Sequence, residues 1–463
     1  MRLSKRSFFR IYAFLSILLA SSIPVAAQGD EIYAVPGLSS KKSIVRYWKG
    51  MQYVVYSEEG GGSFFSLINV SSMTCTSFSS DYLGVNDFEI AGEDVYFCGN
   101  NGTGPIAGFF DIPTLFSAAT GMYYSNLGTL CNSSFMTTSQ ERITDLMKLA
   151  VQSCSDGRHI YMVGKADYIP SSGPIVDNRC FVDMRWFGMT GICCFVQEQT
   201  SVYYYDDVTI TDNYVEVVGH KHGSSGYYNT SFPKPSSVAN PVFPSMTFYT
   251  TAYYYAGGGG CYANDPNRPV MSAHLFGDYY AMVNYSDICQ SGVFPNDRGT
   301  VLSIFGGSPN CHHRYYIPQG YDDTANWEYK DLRYNEKTGK LYLLQDMSKP
   351  VSYTLNSVIC EFDIDGTGAV TSSRAYYEPN VFYLSLDQCE SYIGAVTVGG
   401  ISPLRFWHHT TGSFCVVEKE FHVIELSKDN FTCDFGQYPL SFQCYTHSVT
   451  GELKNFMLIK KCE

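Results

Sequence analysis

One pattern recurs along most of this chain and limits the folds it can adopt. A polar residue opens a short strand, a turn leads to a second strand rich in Tyr and Val, and a loop leads to a third. In the clearest copy these strands are Asp87–Ile90, Val95–Gly99 and Ile106–Ile112. Weaker copies begin near Ser43, Ile143, Asp207, Ser272, Asp331 and Val381. Successive copies start about 40 to 65 residues apart, a spacing typical of propeller blades or slightly longer.

Each copy supplies three or four short strands, too few to bury both faces of a sheet. Packing such sheets around an axis buries both faces and leaves only short edges. The pattern therefore predicts an all-β fold, a β-propeller of six to eight blades with seven favoured. It would form a single domain over residues 28–463, with Phe414–Lys461 supplying the last strands. The alternative is two β-domains divided at the proline-rich segment Phe232–Pro244.

The composition agrees with strands. The chain has 38 Tyr and 30 Phe, and charged residues make up only 16 %; aromatic residues favour strands. The best helix candidate is Gln140–Val151, although its sequence is also compatible with a strand.

The first 27 residues have the three parts of a secretory signal peptide. A basic start, Arg2 to Arg10, precedes the uncharged run Ile11–Ala20. The small residues that end at Ala27 predict cleavage between Ala27 and Gln28. The alternative, a membrane anchor, needs about 20 apolar residues. We therefore expect a protein exported to the periplasm, the cell surface or the medium, with no integral membrane segment after processing.

The Asp87–Ile112 copy resembles a blade of uncharacterised exported β-propeller-like repeat proteins of gut-dwelling anaerobic bacteria. The likeness covers about one blade, with the general repeat rhythm elsewhere. It implies a fold and a compartment, and it carries no catalytic residue.

The charge of the chain bears on its partners. Without the first 27 residues it has 27 basic and 44 acidic residues, a formal charge of −17. Nucleic acid and anionic lipid require Lys and Arg to displace counterions, so we do not expect nucleic acid as a partner. No motif predicts a cofactor.

The sixteen cysteines all follow residue 27, and an exported chain can form disulfides. Those in loop-like contexts are the disulfide candidates: Cys131, Cys154, Cys261, Cys289, Cys311, Cys389, Cys433 and Cys444. Cys98 and Cys360 lie in apolar strand patterns and are expected to be buried thiols. The adjacent pair Cys193 and Cys194 would suit a quinone enzyme if bonded. The repeat motif of propeller quinoproteins is absent, so we favour two side chains on opposite faces of one strand.

Three further groups of residues could carry chemistry. The pairs His220/His222, His312/His313 and His408/His409 have little support as metal sites, because no carboxylates converge on them in the sequence. The recurring aspartates Asp87, Asp145, Asp207 and Asp331 favour a hydrogen-bonding role, because catalytic residues would differ between blades. Tyrosine runs suggest ligand contacts at Tyr204, Tyr254 and Tyr315, against the alternative that they pack between blades.

The sequence favours a non-catalytic binding or scaffolding protein for a glycan, a peptide or a protein. The alternative is a polysaccharide hydrolase with carboxylates on the channel face. Carboxylates that converge near the axis without partners would favour the hydrolase.

Overall fold

The structure is a computed structural model. It describes residues 31–32, 42–72, 74–126, 141–168, 176–187, 191–198, 203–221, 227–239, 247–249, 270–290, 294–306, 311–318, 326–348, 357–377, 382–390, 392–398, 404–408, 419–420, 424–425, 440–446 and 453–459. Within these ranges lie seven antiparallel sheets of four or five strands. The predicted all-β propeller of six to eight blades is confirmed.

The blades follow one another along the chain, and each begins with its inner strand. Blades 1 to 3 contain β2 (Ser43–Tyr47), β3 (Gln52–Glu59), β4 (Gly62–Asn69), β5 (Thr74–Asp81); β6 (Val85–Ala91), β7 (Asp94–Asn100), β8 (Pro105–Asp111), β9 (Tyr123–Asn126); and β10 (Glu141–Cys154), β11 (Gly157–Tyr168), β12 (Val176–Phe187), β13 (Gly191–Glu198).

Blades 4 to 7 repeat this arrangement, with added edge strands. They contain β14 (Tyr203–Ile210), β15 (Tyr214–Lys221), β16 (Tyr227–Pro233), β17 (Thr247–Tyr249); β18 (Met271–His274), β19 (Tyr279–Gln290), β20 (Phe294–Gly306), β21 (Cys311–Pro318); β22 (Asn326–Asn335), β23 (Lys340–Ser348), β24 (Ser357–Ile364), β25 (Val370–Tyr377); and β26 (Phe382–Gln388), β27 (Tyr392–Val398), β28 (Leu404–His408).

The ring is closed by the start of the chain. Strand β1 (Glu31–Ile32) pairs with β28, so the first described strand completes the last blade. The segment Phe414–Lys461 was expected to supply the last strands of the ring. Its described strands do not complete the last blade. Strands β29 (Lys419–Glu420) and β30 (Ile424–Glu425) add to the outer edges of blades 6 and 5. Strands β31 (Leu440–Thr446) and β32 (Leu453–Ile459) pair with each other.

Each interface between neighbouring blades holds its own cluster of buried apolar side chains. Between blades 1 and 2, the ring of Phe65 lies 4.8 Å from that of Phe110 and 6.0 Å from that of Phe88. Burying such rings stabilises the fold by roughly 1.5–3 kcal/mol each. The aromatic content thus serves mainly to pack blade against blade.

The helix candidate Gln140–Val151 is a strand in its described part, because residues 141–151 belong to β10. The register of β10 against β11 shifts between Ile143 and Asp145 and again between Leu146 and Lys148. Each β-bulge adds one residue. The buried residues Ile143, Leu146 and Leu149 are therefore three apart on one face, a spacing that imitates a helix.

The one described helix, α1 (Ile112–Ala118), lies between β8 and β9. The Asp111 carboxylate accepts a hydrogen bond from the Thr114 N–H at 2.8 Å and caps its start. Ala119, with φ of 52°, ends it in the left-handed conformation. Seven residues are too few for a visible helical period, so the sequence pattern missed it.

Gly108 allows the strands of blade 2 to approach closely. A Cβ atom there would lie 2.4 Å from the Tyr123 carbonyl oxygen and 2.4 Å from the Phe97 ring. We expect Gly108→Ala to lower the free energy of unfolding by about 1–3 kcal/mol, as overpacking does. Urea unfolding followed by circular dichroism measures the change. Gly366→Ala is the control, because no atom lies within 4 Å of its added Cβ; equal stabilities of the two variants would contradict the argument.

Candidate functional site: the central cavity

A cavity of about 570 Å³ lies on the propeller axis, and all seven inner strands line it. Its lining extends to Asn335, Glu336 and Lys337 after β22 and to Glu390 after β26. The cavity therefore opens at the end of the ring where the inner strands finish. Pockets of 300–1,000 Å³ are typical of small-ligand sites.

Acidic side chains on three inner strands hold the next blade. The Oδ2 atom of Asp87 accepts from the Leu149 N–H at 3.3 Å. In the same way Asp207 accepts from the Ser272 N–H at 2.7 Å, and Asp331 from the Leu386 N–H at 3.3 Å. The hydrogen-bonding role predicted for these three aspartates is confirmed.

Each of these aspartates follows a β-bulge in its strand. In blade 7, Ser385 occupies the equivalent position after a β-bulge, and its hydroxyl accepts a hydrogen bond from the Val45 N–H at 3.2 Å. The sequence pattern places Asp145 in the same group as these aspartates, and this is wrong. Asp145 follows the first of two bulges in β10, and the equivalent position is the one after the second bulge. Its Oδ1 atom accepts instead from the Asn86 side chain at 2.7 Å.

In blade 3 the residue after the second bulge is Lys148. A lysine cannot accept a hydrogen bond, and the Val208 N–H of the next blade is bonded instead to the Oδ1 atom of Asp207, at 2.9 Å. The Lys148 ammonium lines the cavity, with the Oδ2 atom of Asp87 at 4.0 Å. Blade 3 thus presents a donor to the axis where other blades present acceptors.

Two arginines neutralise the buried carboxylates. Arg46, only 2 % exposed, lies 2.8 Å from Asp87 and 3.0 Å from Asp331, and so joins blades 1, 2 and 6. Arg333 bonds to Asp331 at 3.0 Å and to Glu89 at 2.6 Å. Burial would raise the pKa of Asp331, but these two guanidinium groups outweigh it and hold the pKa below its ordinary value.

Two other cavity carboxylates lack such pairing. Burial raises the pKa of Asp207 to about 6, against the opposing effect of Lys148. Burial also raises the pKa of Asp387 to about 6, against Arg333 and Arg46. The two oxygens of Asp387 accept from the N–H groups of Tyr47, at 2.7 Å, and Gln388, at 2.8 Å. Both carboxylates are therefore occupied by backbone donors.

The described lining contains seven carboxylates and three basic side chains. The Ser272 hydroxyl is buried and lacks a hydrogen-bond partner among the described residues. At the mouth, Lys337 is paired with Glu390, and Glu336 is exposed. The cavity can therefore offer both donors and acceptors to a polar ligand.

Of the three predicted tyrosine contacts, the two that the structure describes, Tyr204 and Tyr315, do not line this cavity. Tyr204 lies in β14, with its ring 5.1 Å from that of His220. Tyr315 is 2 % exposed in the apolar core, and its hydroxyl accepts from the Val370 N–H at 2.8 Å. Tyr254, Ala27 and Gln28 lie outside the described residues. Asp87, Lys148, Asp207 and Asp331 each follow a β-bulge in the inner strand, and bulges leave no fixed sequence signature.

The histidines and other candidates are placed as follows. Nδ1 of His220 lies 2.5 Å from the buried Asp206, and His222 falls outside the described residues. Strand β13 contains Cys193 and Cys194. In the described part of the chain, no three His, Cys, Asp or Glu side chains form a metal-binding group. Within the same ranges, no helix is long and apolar enough to cross a membrane.

The cysteines correct one expectation. Cys154, named as a disulfide candidate, is a free thiol whose sulfur lies 3.6 Å from the Pro235 carbonyl oxygen. Cys389, also named, is buried in the core between blades 7 and 1. Cys98 is a buried free thiol, as predicted, and Cys360 is buried as well. Cys154 ends strand β10 and is half-buried, and Cys389 directly follows strand β26.

Comparison with known proteins gives a likeness of structure only. No protein-family model and no curated protein sequence matches the chain. Hsv2 of Kluyveromyces lactis is 9 % identical, with 83 % of this chain and 100 % of that one covered at a TM-score of 0.38. An uncharacterised protein of Listeria monocytogenes is 7 % identical, with 79 % and 92 % covered at 0.39. A post-proline cleaving enzyme of Rickettsia typhi is 11 % identical, with 82 % and 57 % covered at 0.32.

Removing Arg46 tests the charge network. Arg46→Ala leaves Asp87 and Asp331 buried without their shared cation, which typically costs about 3–5 kcal/mol. Urea unfolding at neutral pH measures the loss. The control is Lys337→Ala, which breaks an exposed ion pair with Glu390 and is expected to cost at most about 1 kcal/mol. Similar losses in both variants would contradict the central role of Arg46.

A buried acid outside the cavity makes stability depend on pH. Glu216 of β15 is 1 % exposed between blades 4 and 5. Burial, and then the charge of Asp278, raises its pKa to about 8 from 4.5. The folded state therefore holds a proton that the unfolded chain releases above pH 4.5. The contribution of Glu216 to stability is complete below pH 4.5 and is lost as the pH rises towards 8.

Glu216→Gln removes this titration. Its free energy of unfolding, relative to wild type, is expected to be higher at pH 8 than at pH 5 by roughly 2–4 kcal/mol, since one pKa unit corresponds to about 1.4 kcal/mol. Urea unfolding at several pH values gives both curves. Glu93→Gln, at an exposed residue, is the control. Parallel curves for wild type and Glu216→Gln would contradict the assignment.

Proposed function

We propose that this chain is an exported, non-catalytic binding protein whose ligand enters the central cavity. The observation that supports this most is how the cavity carboxylates are used. Asp87, Asp207, Asp331 and Asp387 each accept a backbone N–H from the next blade. A carboxylate held in this way supports the ring and is poorly placed to attack a substrate.

The remaining cavity groups suit a hydroxyl-rich ligand. A sugar hydroxyl is both donor and acceptor, and it can bridge an ammonium and a carboxylate. The side chain of Lys148, 23 % exposed, offers the first kind of contact, and the side chain of Glu89, 29 % exposed, offers the second. A neutral saccharide therefore fits better than a peptide, whose apolar side chains would meet the ten charged side chains of the lining.

The alternative function is a polysaccharide hydrolase. The observation in its favour is the raised pKa of Asp207 and of Asp387, about 6 in each. A carboxylic acid with a pKa in this range can donate a proton near neutral pH. Such an enzyme would release reducing sugar, and Asp207→Asn or Asp387→Asn would abolish the release.

The binding proposal is tested at Lys148. Titration calorimetry of the secreted chain against neutral trisaccharides (of glucose, xylose, mannose and galactose) is expected to identify at least one ligand. Lys148→Gln should then raise the Kd about tenfold, because the loss of one hydrogen bond from a charged donor costs about 1.5–3 kcal/mol.

Lys49→Gln is the matched control, because Lys49 pairs with Glu93 on the surface and does not line the cavity. Its Kd should equal that of wild type. If no trisaccharide binds, or if Lys148→Gln binds as wild type does, the proposal is wrong. Release of reducing sugar that depends on Asp207 would establish the hydrolase instead.

A further inference from the structure

Blade 2 carries an aromatic stack that runs from its core to its surface. The rings of Tyr96 and Phe109 are stacked with centroids 6.0 Å apart, and those of Phe109 and Tyr123 with centroids 5.2 Å apart. Trp186 of blade 3 meets Phe109 edge-on at 4.3 Å. The stack crosses β7, β8 and β9, and it ends on a ring at the open edge of the blade.

The outer end of the stack is exposed. Tyr123 is 50 % exposed and its neighbour Tyr124 is 46 % exposed, whereas Tyr96 is only 3 % exposed. Packing within the sheet accounts for Tyr96 and Phe109. It gives no reason for two large aromatic side chains to face solvent on an edge strand.

Polar groups border the same surface. The Tyr96 hydroxyl lies 3.5 Å from the Oδ2 atom of Asp94. Arg158 of blade 3 interacts with both Tyr96 and Asp94. The Arg158 side chain is half-buried, and its Nη1 atom donates to the carbonyl oxygens of Cys154 and Gly157. An acceptor and a donor thus stand beside the aromatic stack.

This surface lies at the same end of the ring as the mouth of the cavity. The cavity opens where the inner strands finish, as at Lys337. Strand β6 also finishes at that end, so the turn that leads to Asp94 lies there. Because neighbouring strands are antiparallel, the end of β8 and the start of β9 at Tyr123 lie there too.

We propose that the blade-2 surface, formed by the exposed ring of Tyr123 with Asp94 and Arg158 nearby and supported from beneath by Phe109 and Tyr96, binds a sugar ring of a neutral polysaccharide whose other units reach the central cavity. The C–H face of a sugar stacks on an exposed aromatic ring, while its hydroxyls bond to flanking charged groups. The cavity part of this inference rests on the proposed function.

Native gel electrophoresis through soluble neutral polysaccharides tests the surface directly. The probes are mixed-linkage β-glucan, arabinoxylan, galactomannan and pullulan, each compared with a gel that contains none. At least one is expected to retard the wild-type chain. Tyr123→Ser should weaken that binding about tenfold, in line with the loss of one stacking contact.

The matched control is Tyr82→Ser. Tyr82 is 41 % exposed but precedes β6, so it lies at the opposite end of the ring. Its retardation should equal that of wild type. Circular dichroism of both variants verifies that they are folded, as expected for changes at half-exposed side chains.

Ligands of different length distinguish the blade-2 surface from the cavity. Tyr123→Ser should bind the cavity trisaccharide as wild type does, whereas Lys148→Gln should weaken both trisaccharide and polysaccharide. Equal retardation of Tyr123→Ser and wild type, or no retardation of wild type by any probe, overturns the blade-2 site and leaves the cavity proposal standing on its own titration. Weakening by Tyr123→Ser with none by Lys148→Gln overturns the cavity proposal instead.

Discussion

The inner strand of each blade has an edge that faces the axis and pairs with no other strand. Backbone N–H groups on such an edge need acceptors, because an unpaired buried donor costs about 1–3 kcal/mol. Here the acceptors are side chains of the preceding blade: Asp87, Asp207, Asp331, Asp387 and the hydroxyl of Ser385. These bonds hold neighbouring blades in register, and the cavity is lined by the residues that make them.

Using carboxylates for this purpose concentrates negative charge at the centre of the ring. Arg46 and Arg333 offset part of it, and Arg46 does so while joining three blades. Asp207 and Asp387 remain without an arginine bonded to them, and their burial shows as a raised pKa. The chemistry of the cavity therefore follows from the way the ring is assembled, and Lys148 is the exception, a donor whose ion pair with Asp87 is as long as 4.0 Å.

The ends of the inner strands give this propeller one face on which ligand contacts can accumulate. The cavity mouth and the exposed aromatic edge of blade 2 both lie on it. The cavity has both acidic and basic side chains in its wall, and the blade-2 surface has an aromatic ring with charged groups beside it. Both suit the same kind of ligand, a polyhydroxylated chain.

The sequence by itself determined the fold class, because strand–turn–strand copies that recur about every 40 to 65 residues can bury both faces only by packing around an axis. It also determined the role of Asp87, Asp207 and Asp331, since a residue repeated in successive blades serves the repeat. Bulges misled it at Gln140–Val151, where buried residues fall three apart as in a helix. Only the tertiary structure placed Lys148 after the bulge and joined Arg46 to residues 41 and 285 positions away in the chain. Contacts across the axis link strands from different blades, and no local pattern in the sequence records which of them meet.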